Sequence, residues 1–254
     1  MTRARMRFIV DDGEMPASVT AGPHGQIEHR GNYEEHSLDL LDWRASAISL
    51  DREGFVVTAH DTEVKDFHDQ DEVASIYHRE VEALVKAQTG CARVHVGDEA
   101  ELDAKGLREP LAVAHNDYTH ESGPSRLRLA LPEEADTLLE RRFAIVQVWR
   151  PTHETILDRP LALCDSSSVP PECLIRTERR HRDRVGYTYN LSFDARQRWG
   201  WFPELRREEA IVFKVYDSKE DGARFTPHGS PLLEEIPPGA PPRRSIEVRT
   251  LALF

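Results

Sequence analysis

The 254-residue sequence contains only three cysteines, Cys91, Cys164 and Cys173. Their scattered spacing fits neither a CxxC redox pair nor a zinc knuckle, and none has a motif-like histidine partner, so free, non-catalytic thiols are expected. There is no run of about 18 apolar residues to span a bilayer. The basic start, MTRARMRFIVDDGEM, lacks the apolar centre of a secretory signal. These absences predict a cytoplasmic protein that does not engage a membrane. A long basic block is missing too: the formal charge is −12, and the one basic run, RTERRHRDR at 176–184, is interrupted by Glu178 and Asp183 and reads as a solvated loop. An acidic chain without a basic face is a poor ligand for a phosphate backbone, which argues against nucleic acid as a partner. No internal repeat or low-complexity linker divides the chain, and the Pro-rich stretch Pro231–Pro242 reads as an ordered loop rather than a boundary.

Helix signals are few. Asp71–Gln88 places Val73, Ile76, Val81, Leu84 and Val85 at helical spacing, with Gly90 as a stop. Pro132–Arg141 begins with Pro and acids and ends with Arg, which suits a short helix and its dipole. The remaining apolar stretches read as strands over 54–59, 92–96, 111–116, 143–149, 161–164, 187–193, 210–216 and 245–253. Eight or so short strands with helices few and early predict a mainly β fold. A double-stranded β-helix (jelly roll, cupin-like) with a few flanking helices fits best, and the length suits a single domain over 1–254.

The chemistry-bearing pattern is His115-Asn116-Asp117, which follows the apolar run Leu111–Ala114. In extended chain, residues i and i+2 share a face, so His115 and Asp117 project towards one point. A second histidine from a distant strand would complete the two-His-one-carboxylate facial triad of non-haem iron(II) oxygenases, with three positions left open. An HxD triplet is weak by itself, and the sequence holds a second, His181-Arg182-Asp183, inside the charged run. The candidate for the third ligand is His228, in RFTPHG after the strand at 210–216. It lies 113 positions beyond His115 but only 47 beyond His181, so the first assignment requires large insertions between strands.

Fifteen residues after His228 comes Arg243-Arg244-Ser245, opening the last strand. An Arg-x-Ser pair puts a guanidinium fork and a hydroxyl on one face, as a bidentate carboxylate clamp needs. Glu247 and Arg249 share that face, a row too polar for a plain barrel core, while Ile246 and Val248 point into apolar packing. Tyr118 and Thr119 directly follow Asp117 and are within reach of a pocket; Arg150, in Trp149-Arg150-Pro151, is a candidate partner for a co-substrate or substrate carboxylate. Trp199 and Trp201 read as packing on one strand face, Lys214 and Asp217 as a structural pair, and His60 and His68 as structural or exposed.

Taken in order, GFVVTAHDTEVKDFHDQD (54–71), AQTGCARVHV (87–96), HNDYTHESG (115–123), VWRP (148–151), PLALCD (160–165), WFPELRREEAIVFKVYDS (201–218), RFTPH (224–228) and RRSIEVR (243–249) resemble the CmcJ/AsaB-type hydroxylase/desaturase family of secondary-metabolite clusters, which includes gibberellin GA4 desaturase-like proteins. The resemblance covers about residues 50–254; nothing is transferred onto the first 45 or so, which read as an N-terminal extension. It implies an Fe(II)/2-oxoglutarate-dependent oxygenase consuming O2 and a small-molecule substrate. His115, Asp117 and His228 would be its metal ligands, Arg243 and Ser245 its 2-oxoglutarate partners, and Arg249 a second candidate for that role. Gln147 stands where family members commonly carry Asn. Two other readings stay open: an accessory subunit working with a partner enzyme such as a methyltransferase, or a non-catalytic jelly-roll binding protein. A homodimer is compatible with any of them.

Overall fold

The structure is a computed structural model that describes residues 2–21, 26–103, 111–153, 155–180 and 185–254. Among these residues, sixteen strands follow one another: β1 (Thr2–Ile9), β2 (Ala17–Ala21), β3 (Gln26–Arg30), β4 (Tyr33–Asp42), β5 (Phe55–Ala59), β6 (Arg93–Asp103), β7 (His115–Asn116), β8 (Phe143–Pro151), β9 (Ala162–Cys164), β10 (Leu174–Arg180), β11 (Val185–Leu191), β12 (Trp199–Trp201), β13 (Glu209–Asp217), β14 (His228–Gly229), β15 (Leu232–Leu233) and β16 (Ser245–Leu253). They form two sheets. The larger runs β15-β1-β4-β12-β9-β14-β7-β11-β10-β2-β3, and the smaller runs β5-β13-β8-β16-β6. The expected jelly roll is present.

The smaller sheet is central and covered on both faces, which explains why its strands read as nearly unbroken apolar runs. Along β8, Phe143, Ile145 and Trp149 enter the core between the sheets with Phe213 and Leu251. Ala144, Val146 and Val148 face the other way, into a cluster with Ile246, Val248 and the helical residues Val73, Tyr77, Val81, Leu84 and Val85. Each large apolar side chain so buried contributes about 1.5–3 kcal/mol before chain entropy is counted. Only Gln147 and Arg150 interrupt the apolar core of β8, and their odd separation puts them on opposite faces.

The helical segment predicted at 71–88 is built of α1 (Gln70–Glu72), a π turn (Val73–Tyr77) and α2 (His78–Thr89), end to end. Asp69 caps its start by accepting from the Asp71 and Glu72 amides, and Gly90 closes it at φ 70°. The second predicted helix shrinks to α4 (Ala135–Leu139).

Two segments depart from the sequence reading, and a third adds to it. The stretch from Arg176 is not a loop at its start: β10 pairs antiparallel with β11, with Thr177 fully buried. His181 and Asp183, the competing triplet, lie outside the described residues. The segment 122–130, absent from the predicted helices, forms α3 (Ser122–Ala130). Pro124 is tolerated there because first-turn amides lack helical acceptors in any case. Finally, the first four strands join the larger sheet, β1 and β4 inside it and β2 and β3 at its edge. Residue 113, in the predicted strand 111–116, bridges to Arg7 of β1, with Arg7 N donating to Ala112 O and Ala114 N to Arg7 O, each at 2.9 Å. β1 thus supplies two of the hydrogen bonds that hold the chain leading into His115.

A candidate metal centre between the sheets

β7 and β14 are only two residues long, yet they bring the two distant histidines into register: His115 pairs directly with His228. Their rings stand 4.4 Å apart between centroids. Each ring is aimed by the same device. His115 Nδ1 lies 2.8 Å from Val113 O and His228 Nδ1 lies 3.0 Å from Thr226 O. A carbonyl oxygen can only accept, so both Nδ1 atoms carry a proton and donate, which leaves Nε2 as each ring's ligating atom. Thr226 is itself anchored, its hydroxyl donating to Gly54 O at 3.1 Å. Gly54 sits at φ 95°, and a Cβ there would collide with the Thr226 hydroxyl, so the contact requires glycine.

Asp117 completes the cluster. His115 Nε2 is 3.7 Å from Asp117 Oδ1, and His228 Nε2 is 3.9 Å from Asp117 Oδ2. One donor atom from each of the three residues lies within 4.8 Å of the others. Metal bonds of about 2.0–2.2 Å place adjacent ligand atoms about 3–3.5 Å apart, so a small contraction would close the set around one ion. Burial alone would raise the Asp117 pKa; Arg249, His228, His115 and the hydrogen bond from Gln147 outweigh it and hold the carboxylate well below its usual range. The donor set is therefore two imidazole Nε2 atoms and one ionised carboxylate. Asn116 holds the turn between ligands: its Nδ2 donates to Tyr118 O at 2.7 Å and to Val215 O on β13 at 2.9 Å.

The other sequence candidates separate. Arg249 joins the cluster, with Nη2 3.2 Å from Asp117 Oδ2 and 3.5 Å from Glu247. Tyr118 also belongs to it, its ring centroid 5.8 Å from the Arg249 guanidinium carbon. Arg243 and Ser245 lie further along the same row. Arg243 donates to Arg159 O at 3.0 Å and Ser230 Oγ at 2.9 Å, and its guanidinium covers the Trp149 ring. Ser245 is 1% exposed, and its hydroxyl has no partner among the described residues.

Arg150 and Thr119 do not reach the cluster. Arg150 faces the helix side of the small sheet, where Nη2 donates to His60 O at 2.8 Å and to Arg207 O, and Nη1 contacts His60 Nδ1 at 3.1 Å. Thr119 Oγ1 accepts from the Glu121 and Ser122 amides at the start of α3, so it serves as a cap.

Sequence reasoning did not single out Asn116 or Phe213, and noted Gln147 only as a departure from a pattern. Gln147 Nε2 donates to Asp117 Oδ2, and the Phe213 ring stands 5.0 Å from that of His228. A lone amide inside AIVQVW was the available signal for Gln147.

A jelly roll with two histidines and a carboxylate converging between its sheets defines a class: the metal-dependent double-stranded β-helix proteins. Comparison with known proteins narrows it. The family described as "Oxidoreductase/YMDC permease-like domain" matches residues 6–253. The Fe(II)/2-oxoglutarate-dependent dioxygenase nvfI of Aspergillus novofumigatus is 30% identical over 98% of this chain and 95% of its own length. The hydroxylase/desaturase CTB9 of Cercospora beticola is 29% identical over 89% of this chain and 78% of its own. A solved structure of the iron and alpha-ketoglutarate-dependent endoperoxidase NvfI superposes with a TM-score of 0.89 at 26% identity, covering 99% of this chain and 97% of that one. The chain belongs to this family, the CmcJ/AsaB-type hydroxylase/desaturases. No described helix is long and apolar enough to cross a membrane.

Proposed function

We propose that this chain is an Fe(II)/2-oxoglutarate-dependent oxygenase that hydroxylates or desaturates a small metabolite in natural-product biosynthesis. The observation that carries the reading is the pair of imidazoles presenting Nε2 beside an ionised Asp117 between two sheets. This N,N,O donor set suits iron(II) and leaves coordination positions for a co-substrate and dioxygen. The relatives support the reaction class: they carry the names dioxygenase, hydroxylase/desaturase and biosynthesis protein.

The residues also suit 2-oxoglutarate. Ser245, whose buried hydroxyl has no partner among the described residues, opens β16 two positions after the buried Arg243, and a hydroxyl with a guanidinium is a donor pair matched to a carboxylate. Iron(II) bound with 2-oxoglutarate couples oxidative decarboxylation to succinate and CO2 with oxidation of an unactivated C–H bond. The protein's part is positional. His115, Asp117 and His228 hold the metal, Arg243 and Ser245 orient the co-substrate's distal carboxylate, and the apolar walls around Phe213 and Leu163 exclude water. No side chain is needed as a general base. We read the whole chain, 1–254, as one oxygenase domain, because β1 pairs with the segment entering His115.

The test is uncoupled turnover. Protein purified without oxygen is given Fe(II) and 2-oxoglutarate, then air, and succinate is followed. Succinate formed by the wild type alone and lost in His115→Ala and Asp117→Ala is the expected result. Formation only on adding a second protein would favour an accessory subunit, and none under any condition would favour a binding protein.

A further inference from the structure

The two oxygens of Asp117 are not equivalent, and this bears on how it would hold the metal proposed above. Oδ2 accepts from Gln147 Nε2 and from Arg249 Nη2. Oδ1 faces His115 Nε2. A carboxylate oxygen offers about two in-plane lone-pair sites. Oδ2 therefore has both of its sites engaged by N–H donors, although it lies 3.9 Å from His228 Nε2. We propose that Gln147 and Arg249 are positioning residues that make Asp117 a one-oxygen ligand, engaging Oδ2 and leaving Oδ1 to the metal.

Three observations carry this beyond a single hydrogen bond. The first is register. Phe213, Gln147 and Arg249 are direct cross-strand partners on β13, β8 and β16, and all three project between the sheets. One row of the smaller sheet thus supports two ligands that come from the larger sheet: Gln147 and Arg249 meet Asp117, and Phe213 packs on the His228 ring.

The second is the cost of the glutamine. Gln147 is fully buried in an apolar strand, where leucine would satisfy packing. Because a carboxylate only accepts, the amide must turn its NH2 to Asp117, which leaves Oε1 buried with no partner among the described residues. An unsatisfied buried acceptor costs about 1–3 kcal/mol, a penalty that packing alone gives no reason to retain.

The third is that Arg249 is committed. It contacts the carboxylates of both Asp117 and Glu247, with the Tyr118 ring beside it. An arginine held by two acids is poorly suited to receive a third carboxylate from a co-substrate. That role then falls to Arg243 and Ser245.

This inference rests on the metal reading, so the experiment separates the two. Metal-free protein is titrated with Co(II) as a probe for Fe(II), following d–d absorption and competition with a chelator, with thermal unfolding of the apo form measured alongside. Gln147→Leu is expected to bind Co(II) about 10- to 100-fold more weakly, as loss of ligand support does elsewhere. Its d–d spectrum should change while the apo melting temperature does not fall. Gln147→Asn keeps the donor on a shorter arm and should fall between. Arg249→Met should weaken binding in the same direction, and it decides the matter alone if Gln147→Leu does not fold. Wild-type affinity and spectrum in a folded Gln147→Leu or Arg249→Met protein would overturn the positioning role only. A wild type that does not bind Co(II) would overturn the metal reading and this inference together.

Discussion

Asn116 Nδ2 donates to the carbonyl of Val215 at 2.9 Å, tying the turn between two candidate ligands to a strand 99 residues further along the chain. The same nitrogen holds Tyr118 O at 2.7 Å. The turn that sets the angle between His115 and Asp117 is thus fixed from outside its own sheet. Asn116→Ala would leave both carbonyls without this donor in a fully buried position. A loss of about 2–3 kcal/mol is expected by chemical denaturation. Weaker metal binding should accompany it, whereas unchanged stability would show that the tie is dispensable.

The clamp residues should separate in their effect on 2-oxoglutarate. Ser245→Ala removes one hydroxyl donor and should weaken 2-oxoglutarate binding about 10-fold, close to 1.4 kcal/mol. Arg243→Met removes the charged fork and should weaken it about 100-fold or more. Neither should lower Fe(II) affinity in the absence of the co-substrate. Titration calorimetry of the Fe(II) form under anaerobic conditions reads both quantities, and equal losses for metal and co-substrate would contradict the assignment.

Arg150 gives the opposite expectation. It ties the end of β8 to the carbonyls of His60 and Arg207 on the helix side of the small sheet. Arg150→Met should cost about 1–3 kcal/mol of stability, since it leaves those carbonyls unpaired. Metal and 2-oxoglutarate affinities should stay within twofold of wild type. A selective loss of either ligand, with the melting temperature unchanged, would return Arg150 to the site.

A pH effect is expected at the edge of the large sheet. Burial first, then Arg7 and Arg179, lower the His29 pKa from 6.5 to about 4, while its Nδ1 lies 3.1 Å from Ser18 Oγ. Because the folded value lies below the unfolded one, the fold favours the neutral ring. This contribution is complete above pH 6.5 and is lost as pH falls from there through about 4. The melting temperatures of wild type and His29→Gln should therefore converge, or cross, between about pH 7 and pH 4.5. The ligand histidines are common to both proteins and cancel in the difference; a pH-independent gap would refute the prediction.

The sequence made the central strands legible for a physical reason. β8, β13 and β16 are covered on both faces, so their apolar runs stand out from the charged background. Half-exposed elements did not. β10 alternates charged and sheltered residues, and its basic side chains masked a strand as a loop. In α3, Ser122, Gly123 and Pro124 occupy the first turn and imitate a turn signal. The pairing of β1 with residues 112–114 is a long-range contact that no local pattern announces. At the site, HxD spacing and a distal histidine were readable because i, i+2 geometry is local. Selecting His115 over His181 needed the strand leading into it and the ordered family motifs. The contacts of Gln147 and Arg249 with Asp117 arise from stacking one sheet on another, which spacing within a strand does not encode.

The most direct test of the account is the visible charge-transfer absorption that develops when 2-oxoglutarate is added to the anaerobic Fe(II) protein. The account predicts a band in the wild type, at one iron and one 2-oxoglutarate per chain, and none in His228→Ala or Asp117→Ala at matched iron. No band in a wild type that binds iron, or an undiminished band without His228, would contradict it.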